Sequence, residues 1–241
     1  MIISIEGSSN YLSLALLKND LIISNETLKI KNELAQIIVP TIKHFLNKNS
    51  ININQLSSIV VGCGPGSFTG IRTVIAAAKG IITSNNNLQS IGVSGLAGLA
   101  MSVVDEALKK NVKYIVSLID TKRDDVFLQL FKLNDHDKLS FPFRSMNKIE
   151  VVKIEHIYKY LNKYNLSDKD ILFVGHKSSS INSNIITIKT SENLCQYPNA
   201  IWVGKLALYL LNGFEKIDYS VIAFDKIEPI YVRSPEINKK I

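Results

Sequence analysis

A glycine-dense turn, Gly62-Cys63-Gly64-Pro65-Gly66-Ser67-Phe68-Thr69-Gly70-Ile71-Arg72, joins an apolar strand at Ser58 to Val61 to a helical pattern. Glycine serves where the chain takes φ > 0 or where a Cβ would block close approach. Pro65 stiffens the bend, and Ser67 or Thr69 can cap the helix that follows. The outcome is a helix N-terminus offering backbone donors, which suits an anion or a tightly packed neighbour. Gly64, Pro65, Gly66, Ser67, Thr69, Gly70 and Arg72 are therefore the candidate binding or structural residues of the turn. Two nucleotide motifs fail here. A P-loop needs a Lys-Ser/Thr pair at the end of its glycine run, and this run ends Gly70-Ile71-Arg72. A dinucleotide fingerprint needs an acidic residue about 20 positions further on, where this chain reads Ser84-Asn85-Asn86-Asn87-Leu88-Gln89. Tight packing of strand on helix is the favoured reading of the glycines.

The flanking pattern is α/β. Met1 to Glu6, Tyr11 to Lys18 and Leu21 to Lys29 read as strands of an antiparallel meander, and Asn32 to Asn47 as a helix that Pro40 should kink. Helix Thr69 to Ile82, strand Leu88 to Val93 and helix Ser94 to Leu108 follow. A second round opens with strands at Val112 to Ile119 and Val126 to Leu133. It continues with a helix at Ile154 to Tyr164, a strand at Ile171 to Val174 and a helix at Ala200 to Leu211, with surface loops at 135–148 and 178–184. A hairpin followed by helix–strand alternation, occurring twice, implies two related lobes, 1–108 and 109–241, with the helix at 200–211 packing back on the first. The chain has 241 residues, 46% of them hydrophobic, so a full core can be buried. The net charge of +7 is spread as lysine, with arginine only at Arg72, Arg123, Arg144 and Arg233, and forms no dense phosphate-reading stripe. No apolar run is long enough to span a membrane. Met1-Ile2-Ile3-Ser4-Ile5-Glu6 reads as a strand and not as a signal peptide, and Cys63 and Cys195 are too few for a disulfide framework, so a cytoplasmic location is expected.

Catalytic side chains are scarce where the turn lies. No Asp or Glu occurs between Leu34 and Val104, so this region has no carboxylate of its own to act as general base or to ligate a metal. Glu6 and Asp120 each end a strand at the mouth of a hairpin and are the candidate cleft acids; a turn-stabilising role is the alternative for both. His44, His136, His156 and His176 are isolated, without the i, i+4 spacing of a helical metal site. Cys63 reads as a packed small residue.

Gly64-Pro65-Gly66-Ser67-Phe68-Thr69-Gly70-Ile71-Arg72, followed by Ile91-Gly92-Val93-Ser94, Ile119-Asp120 and Glu228-Pro229-Ile230-Tyr231-Val232-Arg233, resembles the bacterial TsaB (YeaZ) family. The resemblance implies a two-lobed, actin-like (ribonuclease H-like) α/β fold with mixed sheets flanked by helices. It implies a non-catalytic scaffold in the installation of threonylcarbamoyl on a tRNA adenosine next to the anticodon. The implied partners are a TsaD-like catalytic subunit, a TsaE-like ATPase subunit and, in isolation, a second copy of the chain, with tRNA met through the complex and no cofactor or metal of its own. Catalytic relatives of the TsaD type carry two metal-binding histidines where this chain has Gly95 and Leu99. The fold's usual phosphate-binding turn begins with Asp where this chain has Glu6-Gly7. The enzyme alternatives, an actin-like kinase or a metallopeptidase-like hydrolase, lack the acids and histidines they need. The helix after the glycine turn is apolar nearly all round and must be covered on more than one side. Leu34, Ile38, Thr41, Ile42, Ile71, Ile75 and Ala78 are therefore the candidate partner interface, with burial in the chain's own lobe as the alternative.

Overall fold

Alternating apolar residues at the start of the chain form an antiparallel meander of β1 (Ile2–Glu6), β2 (Tyr11–Lys18) and β3 (Leu21–Lys29). The computed structural model describes residues 1–31, 33–85, 87–134, 140–176, 186–187, 196–213 and 217–232. After the meander come α1 (Leu34–Lys48), β4 (Ser58–Gly62), α2 (Phe68–Thr83), β5 (Gln89–Val93), α3 (Gly95–Met101) and α4 (Val104–Lys109). A second antiparallel set follows, β6 (Tyr114–Asp120), β7 (Asp125–Leu133) and β8 (Phe143–Ser145), with β9 (Glu150–Lys153) also paired to β7. The remaining elements are α5 (Ile157–Asn162), β10 (Ile171–Gly175), β11 (Ile186–Thr187), α6 (Ala200–Leu211) and β12 (Ile222–Phe224).

The two sheets share one topology. The first has the order β12-β5-β4-β1-β2-β3 and the second β11-β10-β6-β7-β8. In each, the opening hairpin runs antiparallel, and later strands add in parallel on the far side of its first strand: β4 then β5 beside β1, and β10 then β11 beside β6. This repeat is the two-lobed, actin-like mixed α/β fold that the family resemblance implies and that the duplicated hairpin pattern fits.

Apolar surface is buried in three places. α1 and α2 cover one face of the first sheet, where Ile38, Ile42, Phe45, Val74 and Ile75 meet Ile3, Leu14 and Val61. α5 covers the outer face of the second sheet. Between the sheets lies a shared layer in which α3 and α6 meet Ile2, Leu17 and Val60 from one sheet and Ile115, Phe131 and Val174 from the other. Ser4 Oγ, on β1, donates a hydrogen bond to the carbonyl of Ala200 at the start of α6, and Ser13 Oγ, on β2, accepts from the N–H of Ala200 at 3.2 Å. The second bond satisfies an N-terminal N–H of an apolar helix that water cannot reach, and the first gives the buried Ser4 hydroxyl an acceptor.

Several expectations are corrected. The helix expected at Ser94 to Leu108 is broken after Met101, where Ser102 Oγ donates to the Leu99 carbonyl at 2.6 Å and Val103 leaves helical geometry at φ −124°. A serine that competes for backbone acceptors favours such an end. The loop expected at 135–148 contains β8, and Phe141 and Phe143 within it are fully buried and stack near Phe131. Pro40 lies inside α1, as the helical pattern indicates, at an exposed position of the helix. The 178–184 loop, Cys195, His136 and Arg233 lie outside the described residues.

The largest correction concerns α1 and α2. Leu34, Ile38, Ile42, Ile71, Ile75 and Ala78 point into the lobe's own core and only Thr41 is half-exposed, so the proposed interface residues are core residues. The apolar residues that encircle α2 divide into a buried side and an outward side of small residues, Ala76 and Gly80. Ile75→Glu should therefore unfold the lobe and not merely weaken association. The expected loss is about 3 kcal/mol or more, read as a fall in urea midpoint, against little change for Ala76→Glu.

Glu6 is buried completely at the end of β1. Its Oε1 accepts the Ser8 N–H at 2.6 Å, and its carboxyl lies over Gly62, where an added Cβ would stand 1.7 Å from Oε2. Burial pushes the Glu6 carboxyl up from its ordinary value, against smaller opposing effects of the Ser8 hydroxyl and the Ser8 and Gly7 N–H groups. A carboxyl that binds its proton more tightly when folded stabilises the fold fully below its unfolded pKa, and this contribution is lost as pH rises through the folded pKa. Glu6→Gln should remove that loss: its Tm should exceed the parent's at about pH 8, with the gap narrowing toward about pH 4. A constant gap across that range would show that Glu6 does not titrate with folding.

Candidate functional site: a cleft beside the glycine turn

β4 ends at Gly62, and the chain turns sharply into α2. Ser67 is the N-cap, its Oγ accepting the Gly70 N–H at 3.2 Å, so Ser67 and not Thr69 takes the capping role. Gly66 has φ 154°, and a Cβ there would stand 2.4 Å from the Ser8 carbonyl oxygen, so only glycine fits where the two turns touch. That carbonyl accepts the Ser67 N–H at 2.7 Å. Cys63 N–H donates to Val93, and Gly64 and Cys63 carbonyls accept from Gly95 and Ile230, at 2.8 to 2.9 Å. Much of the turn's polar backbone is therefore spent on its neighbours, which favours the packing reading of its glycines over an anion cradle.

Beside this turn the two lobes leave a cleft of about 350 Å³. Pro65, Gly66, Ser67 and Phe68 form one wall, the hairpin residues Asp120 to Arg123 form the other, and Ile230 to Val232 close one side. An adjoining hollow of about 290 Å³ shares Gly66, Ser67, Asp120 and Lys122 and reaches Ser8, Asn10, His176 and Tyr197. Arg72 is held by two aromatic rings. Its guanidinium carbon lies 3.6 Å from the Phe68 ring centre, and its Nε donates to Tyr231 Oη at 2.7 Å.

Of the two candidate acids, the structure brings only Asp120 to the cleft. Its Oδ1 accepts the Lys122 N–H at 3.0 Å, and its Oδ2 lies 3.5 Å from His176 Nδ1. Glu6, beneath the turn against Gly62, lines neither hollow. Cys63 sits on the other side of the turn, where burial first and the neighbouring Glu6 second push its thiol up to about 12, so it is a neutral thiol near neutrality. His176, Phe68 and Tyr231 are cleft residues that the sequence reading passed over. Phe68 and Tyr231 stand inside two of the four quoted motif segments, which is the only signal that could have found them.

The positions where catalytic relatives are expected to hold a metal do not fit one. Gly95 packs against Pro198 and donates its N–H to Gly64, Leu99 is buried in the shared core, and neither side chain has a donor atom. Among the described residues no group of three His, Cys, Asp or Glu side chains comes together.

With the geometry in place, the chain can be set beside known proteins. A family model described as TsaD, tRNA N6-adenosine threonylcarbamoyltransferase, matches residues 22–223. The "tRNA threonylcarbamoyladenosine biosynthesis protein TsaB" of Haemophilus influenzae is 26% identical over 215 residues, covering 87% of this chain and 86% of that protein. The protein of the same name from Bacillus subtilis is 27% identical over 184 residues, covering 74% of this chain and 72% of that protein. The solved structure of YeaZ from Pseudomonas aeruginosa has the same fold, with a TM-score of 0.72 at 20% identity over 95% of this chain and 98% of that one. With a family match across most of its length, the chain belongs to the TsaD family, and within it is similar to proteins named TsaB and shares the fold of YeaZ.

Proposed function

We propose that this chain works in tRNA threonylcarbamoyladenosine biosynthesis as a cytoplasmic, non-catalytic partner of a TsaD-like subunit, together with a TsaE-like ATPase, in transferring threonylcarbamoyl to the adenosine next to the anticodon. The pathway reading rests on the names of its relatives. The partner reading is carried by one observation. At the start of α3, Gly95 and Leu99 are packing residues that hold sheet and helix together, in the place where a TsaD-type catalyst would need metal ligands. A kinase reading is less well supported, because Glu6 is buried away from the cleft and leaves Asp120 as the only one of the two hairpin acids facing it. Residues 1–108 and 109–241 are the two halves of the scaffold in this reading, with α6 and β12 of the second half lying on the first sheet.

The surface that would meet the partner, or a second copy in its absence, is the outward side of α1 and α2. Val39 is 52% exposed there beside Ala35, and at Ala76 and Gly80 the exposed side of α2 carries no large side chain. An added Cβ at Gly80 meets nothing within 4 Å, so a partner helix could approach closely. In a reconstituted mixture of catalytic subunit, ATPase, tRNA and substrates, leaving out this chain should abolish or sharply reduce modified tRNA, and this chain alone should yield none. Product formation by the chain alone would refute the non-catalytic role. Ala76→Glu should keep the parent's circular dichroism yet weaken partner binding about thirtyfold, as expected for an unpaired charge in a desolvated contact. Unchanged affinity in the folded variant would place the interface elsewhere.

A further inference from the structure

The cleft has a composition that a purely structural seam does not require. Phe68 is 43% exposed and Tyr231 50% exposed, although both could have been buried or replaced by polar residues. Their ring centres are 5.5 Å apart, and Arg72 lies over one face of Phe68 while its Nε bonds Tyr231 Oη, so the pair is held in place with both rings still part-exposed. Facing them across the cleft, the β6–β7 hairpin presents Lys122 and Arg123. Lys122 has φ 63°. Among the described residues, four of the five other non-glycine residues with positive φ are Asn or Asp, which tolerate that conformation, whereas a lysine does so at some cost. The Asp120 carboxylate holds the Lys122 N–H and keeps the turn in this shape. Phe127 and Ile230 supply further apolar wall.

We propose that this cleft binds an unpaired nucleotide of single-stranded RNA, its base laid against Phe68 and Tyr231 and its phosphate next to Lys122 and Arg123. Aromatic rings beside cations are the usual platform for unstacked bases, because every base has a π-face and every linkage a negative charge. A volume of about 350 Å³ lies within the range of pockets that take ligands of nucleotide size. The net charge of +7 favours the approach of a polyanion, while the rings and the lysine give it a place to settle. The proposal rests on the tRNA reading above for the choice of RNA as ligand. Its readout is direct binding, which can fail or succeed independently of the partner assay.

The test is fluorescence anisotropy of a labelled single-stranded oligoadenylate with the full chain, against a fully paired RNA duplex of the same length, at several salt concentrations. The parent should prefer the single strand. Phe68→Ala should weaken binding about tenfold, and Lys122→Ala should weaken it and lower the salt slope by about one. Lys79→Ala, toward the far end of α2, should behave as the parent. Circular dichroism establishes that each variant is folded, and the second cleft variant decides the matter if the first is not. No binding by the parent, equal binding of the duplex, or parent-like binding by both cleft variants overturns the proposal. So does a Phe68→Ala variant that loses the protein partner while keeping RNA affinity, since the cleft would then be a protein-docking surface.

Discussion

The contact between two turns organises this molecule. Where the loop after β1 meets the loop after β4, the Ser8 carbonyl accepts the Ser67 N–H and lies so close to Gly66 that no side chain fits. That contact fixes the start of α2, because Ser67 is also its N-cap. The start of α2 in turn fixes Phe68 and Arg72, and through Arg72 the ring of Tyr231. The same turn receives Gly95 from α3 and Ile230 from the C-terminal segment, so four separated parts of the chain converge on a few backbone hydrogen bonds. Backbone bonds shielded from water hold such a junction because leaving any of them unmade would be expensive.

The layer between the sheets is the second constraint. α6 lies against β1, β2 and β4 on one side and packs with α3, which faces the second sheet on the other. Both helices are apolar and rich in small residues, and they are buried over most of their length. A segment that serves as mortar between two sheets has little freedom to carry polar chemistry, since each unpaired polar group there would be penalised. The start of α3 in this protein is packed for cohesion, and the polar and charged residues collect instead at the cleft and on the outer surfaces.

Much of the architecture was legible because it depends on local periodicity. The strands at Tyr11 to Lys18 and Leu21 to Lys29 and the helix at Ala200 to Leu211 have the bounds that apolar alternation and helical spacing indicate. The glycine turn was legible because steric exclusion leaves only glycine at such contacts. The orientation of α2 was not. A helix apolar on nearly every side gives no periodic signal to say that Ile75 faces the core and Ala76 faces out, and only the position of the sheet beneath it decides. β8 was missed for a related reason: a three-residue strand has too few residues to show a period, and Phe141 and Phe143 are buried by partners distant in sequence.

By itself the sequence determined that this chain folds as two hairpin-led α/β lobes around a glycine turn and, through its motifs, which family it resembles, since strand alternation, helical spacing and glycine sterics are written in adjacent residues. Tertiary structure decided what each acid and aromatic residue is for. Glu6 and Asp120 occupy matching positions at the ends of hairpin strands, yet Glu6 is sealed under Gly62 and Asp120 stands at the cleft. Phe68, Arg72 and Tyr231 become one cluster although Tyr231 lies far along the chain. Burial and long-range contact depend on which elements pack together, and that is settled only when both sheets and the helices between them are in place.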